Sequence, residues 1–355
     1  MYKLLIINPG STSTKVAVYE DDQKVLEETV RHDPDMLMQY QRVMDQAPYR
    51  KELIDTFLQK NGVDLSDFTL IVGRGGPVKP IKSGVYEVSD AMIADMAGGA
   101  YGEHASCLGG VLAREYASRL GVKAYVVDPP VIDEFHALSR ISGLKGIERI
   151  SSYHALNHKA VARRHAKEQG VPYEELNLIL AHMGGGISVA AHEKGLVIDT
   201  NNALDGDGAF SPERCCGLPL KGLLELCYSG EYTLDELQRK VRRQGGLYSY
   251  LGTTNTKEVS QRVREGDAEA ALIYEAMAYQ VSKDIGGFAT VLKGNVDGIV
   301  LTGGIAYDDM FVGWIKERVS FIAPVFVYPG EDEMQALADG GLRALRGEAE
   351  VLQYM

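Results

Sequence analysis

The sequence predicts a mixed α/β protein built as two related halves. Three observations carry this expectation. Strand-like apolar runs alternate with helical periodicity along the whole chain. The length of 355 residues, 45% of them hydrophobic, suits two domains, each able to bury its own core. One local pattern, an apolar strand, a Gly/Ser-rich turn, a second strand, a short turn and a third strand, starts near Lys3 and again near Asn177. No low-complexity linker separates the halves, and the boundary is expected near Ile150.

Taken in order, Lys3–Asn8 reads as a strand, followed by Lys15–Glu20 and Lys24–Val30. Residues 34–60 read as helical, with Pro48 as a break. A short strand at Leu70–Val72 leads into the loop GRGGPVKP, with helices at Ser89–Met96 and Ala105–Leu120. The strand Ala124–Val127 stops at Asp128-Pro129-Pro130. The second cycle, NLILAHMGGGISVAAHEKGLVID, is followed by helices near Leu220–Tyr228, Thr233–Arg242 and Ala268–Leu292. Strands at Asp297–Leu301 and Ala323–Tyr328 and a helix in EDEMQALADGGLRALRG complete the chain.

The formal net charge of −12 argues against a nucleic-acid-binding face, whose usual footprint is basic, but leaves room for an anionic substrate in a locally positive site. Cys107, Cys215, Cys216 and Cys227 form no CxxC pair, so free thiols in a reducing compartment are expected. The first apolar run is cut by Asn8-Pro9-Gly10, and no window has the ~20 apolar residues of a membrane span. A soluble, cytoplasmic protein without a membrane partner is the expectation.

Several short segments can carry chemistry. In INPGSTSTK the turn offers backbone N–H groups, the hydroxyls of Ser11, Thr12, Ser13 and Thr14, and the charge of Lys15. A polar hairpin is the plainer reading, and the segment is no P-loop, because Lys15 leads into a strand rather than a helix. In HMGGGISV, Gly184, Gly185 and Gly186 permit positive φ or close approach of a ligand, and equally a tight bend. Thr302-Gly303-Gly304 follows a strand and would offer free N–H groups if a helix started there. Three such turns at strand ends together favour a nucleotide site.

Arg74, between glycines, suits a carboxylate or phosphate, or is simply a solvated loop arginine. Asp128, at a strand end stiffened by two prolines, is a functional carboxylate or a turn residue. His154 and His158 lie four apart with no HExxH glutamate between them, so a metal pair is not indicated. His104 in GEH is a further candidate.

INPGSTSTK, VVDPPVIDE, YHALNH, AHMGGGIS, DGDGAFSPER, VLTGGIA and YPGEDE together resemble, in order, the signatures of the acetokinase family of the sugar kinase and actin superfold. The resemblance extends from residue 3 to about 347 and favours the branch that acts on butyrate and branched-chain fatty acids. It implies a duplicated two-domain actin-like ATPase (ribonuclease H-like) fold with ATP in a cleft between the domains, one formed by residues 1–149 with 330–355 and the other by 150–329. It also implies reversible in-line transfer of a phosphoryl group from ATP to a short-chain fatty acid, giving ADP and an acyl phosphate, with Mg²⁺, in a homodimer or larger homo-oligomer. Acetate or propionate kinase activity is the alternative within the fold; a non-catalytic actin-like nucleotide-binding protein is the alternative outside catalysis.

Residue by residue, the resemblance makes Asn8 the magnesium-associated asparagine and Ser11, Ser13 and Lys15 the first phosphate loop. Arg74 corresponds to the carboxylate-binding arginine, His104 to the substrate-side histidine, Asp128 to the catalytic aspartate, and His154 to the histidine that steadies the phosphoryl group. His182 with Gly184–Gly186 corresponds to the second phosphate loop, Asn255 and Lys257 to nucleotide contacts, and Gly303, Gly304, Ile305 and Ala306 to the adenosine loop. Local spacing departs from the acetate kinases at two places: Arg214 is taken as the second transition-state arginine, and Glu333, with Glu331 as alternative, as the late magnesium-linked glutamate. The glycines after Arg74 are expected to remove bulk and make room for a longer acyl chain.

Overall fold

A computed structural model describes residues 1–204 and 206–355, so Asp205 of the DGDGAFSPER run lies outside the described residues. The chain divides into two units, Met1–Asp133 with Asp332–Met355, and Glu134–Glu331. Residues 134–149, expected with the first half, sit in the second because their partners are there. Glu134 accepts from Lys159 Nζ and from the Val197 amide, both at 2.7 Å, and Arg149 Nη1 meets Asp199 at 2.8 Å.

The first unit contains β1 (Lys3–Pro9), β2 (Ser13–Glu20), β3 (Gln23–Arg31), β4 (Leu70–Gly73), β5 (Val85–Glu87) and β6 (Lys123–Val127). Its sheet runs β5-β6-β4-β1-β2-β3, extended beyond β5 by the short strand Val351–Leu352. Near-continuous apolar β1 is the sign of a strand covered on both faces. Leu5 and Ile7 pack in one core with Leu108 and Leu112 of the helix Cys107–Leu120. On the other face, Leu4 and Val72 meet the helix Glu333–Leu345 at Gly341, where a Cβ would come within 2.8 Å of Val72. Pro48 starts a helix rather than breaking one: it occupies the first turn of Ala47–Lys60, where its missing N–H costs nothing.

The second unit contains β7 (Asn177–Met183), β8 (Ile187–Glu193), β9 (Leu196–Thr200), β10 (Gly298–Gly303) and β11 (Val325–Pro329), in the order β11-β10-β7-β8-β9. Both sheets share one plan. β1 pairs antiparallel with β2 and parallel with β4, just as β7 pairs antiparallel with β8 and parallel with β10. The duplication expected from the strand–turn–strand pattern is therefore present in the pairing. Alternate residues of β7 serve two layers: Ile179 and Ala181 face the helices Ala268–Val291 and Asp309–Val319, while Leu178 and Leu180 face the helix Ala155–Gln169. No helix is long and apolar enough to cross a membrane among the described residues.

Candidate active site

The turn between β1 and β2 is held from below by Arg50, on the first turns of the helix Ala47–Lys60. Its guanidinium is fully buried and donates to Gly10 O (2.7 Å), Ser11 O (3.2 Å) and Ser13 O (3.4 Å), while the His32 amide donates to Thr12 O (3.0 Å). A trans peptide points its N–H opposite to its C=O, so carbonyls drawn inward turn the N–H groups of Ser11, Thr12 and Ser13 outward. Outward N–H groups with a buried cation behind them can receive an anion. Burial pushes the Arg50 guanidinium down to about 10, still charged at neutral pH. Ser11 and Lys15 are exposed and Ser13 half-buried. Thr14 does not join them, because its buried hydroxyl is bonded to His32 Nε2 (2.8 Å) and Arg50 (3.2 Å). Lys15 pairs in register with Asn8, so the two side chains share a sheet face.

Asn8 is the penultimate residue of β1, and its Nδ2 donates to Glu333 Oε2 at 2.7 Å. The other oxygen of Glu333 lies 3.4 Å from Arg74 Nη2. Arg74 follows β4, where its amide donates to Ile7 O (2.8 Å), and its buried Nη1 has no hydrogen-bond partner. A buried guanidinium donor left unmade is costly, and a carboxylate would satisfy it. His104 lies near enough for the Arg74 charge to add to desolvation in lowering its pKa, and its Nδ1 accepts from the Ser106 amide at 3.1 Å. Asp128 is fully buried with φ +39°, a left-handed backbone state that Asp21 and Lys194 hold in the hairpin turns of this chain. It is locked to Gly84, whose amide donates to its Oδ1 at 2.9 Å.

The glycines after Arg74 do not open space for a ligand. A Cβ on Gly75 would lie 2.7 Å from Pro129 Cβ, and one on Gly76 would lie 2.6 Å from Cys107 Cα. They are small because a helix and a strand pack against them, which corrects the expectation of room for an acyl chain.

In the second unit the turn Gly184–Gly186 joins β7 to β8, closed by a Gly184 N–H to Gly186 O bond of 3.0 Å. None of the three glycines has positive φ; they serve close approach instead. A Cβ on Gly186 would collide with Arg214 Nη1 and stand 3.4 Å from His154 Cε1. Gly186, Arg214 and His154 are thus brought together. Arg214 is anchored by Nη1 to Ala203 O (2.8 Å) and by its amide to Ser211 Oγ (3.2 Å), while its Nε is buried without a partner. His154 stacks on His182 with centroids 3.9 Å apart, and His182 Nδ1 is bonded to Asn157 Oδ1 (2.9 Å). His154 and His158 converge on one hydroxyl, that of Ser188. Glu331 Oε2 lies 3.5 Å from His182 Nε2.

Asn255 caps the helix Thr256–Arg264, accepting from the amides of Lys257 (3.2 Å) and Glu258 (3.4 Å), which commits its side-chain oxygen to the backbone; Lys257 is exposed beside it. Gly303, at φ +89°, leads into a four-residue 3₁₀ turn, Gly304–Tyr307, and the α-helix starts only at Asp309. The helix start expected at Gly304 is therefore displaced. Ile305 and Ala306 bury their side chains in the core, so that loop can offer a ligand its backbone.

Among the described residues no three His, Cys, Asp or Glu side chains form a metal cluster. Asn8 and Glu333 still present adjacent hard oxygen donors. That donor set fits a magnesium ion that keeps most of its waters and takes its remaining ligands from phosphate. Sequence reasoning missed Arg50, Asn157 and Ser188. Asn157 lies in YHALNH and Ser188 ends AHMGGGIS, but the roles of all three depend on side chains that meet across elements.

A duplicated five-strand plan with a tight turn between the first two strands of each half defines a two-domain actin-like ATPase fold. Solved structures share it: acetate kinase from Porphyromonas gingivalis (TM-score 0.80, 17% identity, covering 97% of this chain and 100% of that one) and a propionate kinase from Francisella tularensis (TM-score 0.74, 17%, 96% and 99%). The chain belongs to the acetokinase family. The family model matches residues 138–317, and the chain is 52% identical over 354 residues to Butyrate kinase 1 of Clostridium acetobutylicum, covering 100% of both.

Proposed function

We propose that the protein phosphorylates butyrate or a related short or branched-chain fatty acid, converting the acid and ATP to an acyl phosphate and ADP, reversibly. The observation that carries this reading is the pair of arginines with buried, unpartnered donors, Arg74 Nη1 in one unit and Arg214 Nε in the other, on a chain so similar to a butyrate kinase. A fatty acid, with a pKa of ~4–5 by analogy to side-chain carboxyls, is already ionised at pH 7 and needs no general base. What the reaction needs is alignment and positive charge.

In this reading Arg74 holds the acid carboxylate with His104 beside it, and Arg214 and His154 neutralise the transferring phosphoryl group. The turn Ser11–Ser13, with Lys15, and the turn Gly184–Gly186, with His182, hold phosphate oxygens. Asn255, Lys257 and the backbone of Gly303–Ala306 contact the nucleoside. Asn8 and Glu333 would hold magnesium, which when bound offsets phosphate charge. Asp128, rigidly fixed, orients the reacting groups rather than removing a proton. The four free cysteines suit a cytoplasmic enzyme, and a homo-oligomer is expected by family resemblance.

Trapping the acyl phosphate as its hydroxamate across acetate, propionate, butyrate, isobutyrate and valerate tests the proposal. The expected result is the highest kcat/KM for a four- or five-carbon acid. A maximum at acetate or propionate would reassign the substrate, and ATP binding with no acid-dependent turnover would favour the non-catalytic alternative.

A further inference from the structure

Four of the eight histidines, His154, His158, His182 and His192, lie in one cluster of the second unit, and three of them are links in a continuous hydrogen-bonded chain. Tyr173 Oη meets His192 Nδ1 at 2.7 Å, and His192 Nε2 meets His158 Nδ1 at 3.2 Å. His158 Nε2 then meets Ser188 Oγ at 2.9 Å, and Ser188 Oγ meets His154 Nδ1 at 2.8 Å. The sequence builds this from two spacings. His154 and His158 lie one helical turn apart, and Ser188 and His192 lie on one face of β8, so the four side chains interleave.

His158 and His192 are fully buried, and burial holds both pKa values well below the ordinary histidine value. The neighbouring histidines lower His158 further, and the charges of Lys159 and Arg163 lower His192. A neutral imidazole bonded at both nitrogens must donate with one and accept with the other. Between the imidazoles the polarity of one link therefore fixes the next, and the Ser188 hydroxyl, which accepts from His158, keeps one proton of its own to give. At the far end the phenol O–H is the better donor and the imidazole nitrogen the better acceptor, so Tyr173 donates to His192 Nδ1. His192 then donates from Nε2, His158 from Nε2, and the Ser188 hydroxyl donates to His154 Nδ1. The His154 amide, 3.5 Å from Ser188 Oγ, fits a hydroxyl whose own proton points to the ring.

We propose that Tyr173, His192, His158 and Ser188 are positioning residues that hold His154 as its Nε2–H tautomer, so that the ring offers the site a donor and not a lone pair. A transferring phosphoryl group has only acceptor oxygens, and a lone pair aimed at it would repel. The catalytic consequence rests on the proposed role of His154 at the phosphoryl group; the tautomer itself does not. Outer partners that fix the tautomer of a metal-bound histidine typically matter by 10–100-fold, and a loss at the lower end of that scale is expected here.

The test is a long-range ¹H–¹⁵N correlation spectrum of the full chain, labelled at the histidine ring nitrogens and recorded above neutral pH. His154 is assigned as the ring system lost in His154→Gln. The expected spectrum shows His154 protonated at Nε2 alone; a ring protonated at Nδ1, or at both nitrogens, would overturn the proposal. Tyr173→Phe removes one oxygen and keeps the packing. It should move the His154 signals toward a mixture of tautomers and lower kcat by about 10-fold, with the ATP KM within about twofold of its original value. An unchanged His154 spectrum in Tyr173→Phe would overturn the chain as the source of the tautomer. Absence of acid-dependent turnover with an intact Nε2–H spectrum would strike the functional reading and leave the chain standing.

Discussion

The side-chain Nδ2 of Asn8 donates to Glu333 Oε2 across 2.7 Å, joining the first strand to the start of the C-terminal helix. Asp332 caps that helix by accepting from the Gln335 amide at 2.9 Å, so the carboxylate of Glu333 is presented from a fixed helix start. Its second oxygen faces Arg74, which makes Glu333 the shared partner of a proposed magnesium ligand and a proposed substrate ligand. Glu333→Gln keeps the shape and removes the charge. Titration of activity with Mg²⁺ at fixed ATP should show the activation constant raised by about 10-fold or more, the scale of losing one charged interaction. Glu331→Gln, whose carboxylate is beside His182 instead, should leave that constant near its original value. The opposite ranking would move the magnesium role to Glu331.

Arg74→Ala should act mainly on the acid. Two charge-assisted hydrogen bonds to a carboxylate are worth enough to raise the fatty-acid KM by about 10- to 100-fold. Arg74→Lys should recover only part of this, because an ammonium cannot reproduce the fork of a guanidinium. Steady-state kinetics over acid concentration decides it, and an unchanged acid KM would place the carboxylate elsewhere.

Asp128→Asn should lower kcat by orders of magnitude while calorimetry shows ATP binding largely retained. The amide can still occupy the place beside Gly84, so the loop geometry should survive. Near-normal turnover would remove Asp128 from the reaction.

Gly75→Ala and Gly76→Ala separate packing from specificity. Each would force a methyl group into Pro129 or Cys107, a kind of overpacking that costs roughly 1–3 kcal/mol. Thermal unfolding should show a lower Tm for both, with the ranking of acids unchanged. A changed ranking at undiminished stability would return these glycines to the acyl pocket.

The parts of this molecule legible in its sequence are those that local chemistry dictates. The buried run of β1, the turns at Gly10–Ser13 and Gly184–Gly186, and the strand end at Asp128 each announce themselves within ten residues. The duplication was legible too, because strand–turn–strand spacing survives where side-chain identity does not. What was hidden depends on long-range meetings. Arg50 reaches a turn about 40 residues earlier in sequence, and the glycines of GRGG answer to Cys107 and Pro129. Helices such as Ala155–Gln169 and Asp309–Val319 carry polar faces and mixed periodicity, which blurred them.

Asp284, on the helix Ala268–Val291, makes stability depend on pH. Its carboxylate accepts from the Ala209 amide at 2.7 Å, yet desolvation, reinforced by Asp207, pushes it up to about 6. The folded protein therefore binds this proton more tightly than the unfolded chain, whose value stays near 3.8. Above pH ~6 both states are ionised, and the folded state bears the cost of a buried charge, on the order of 2–3 kcal/mol. As pH falls from about 6 toward 4, the folded state takes up the proton first and that cost disappears. Asp284→Asn removes the charge and keeps an oxygen for the Ala209 amide. It should raise Tm at pH 7 to 8, and its advantage over the original chain should shrink as the buffer approaches pH 4. An advantage independent of pH would mean that the amide stabilises by packing, and that Asp284 ionises in the folded protein as it does in water.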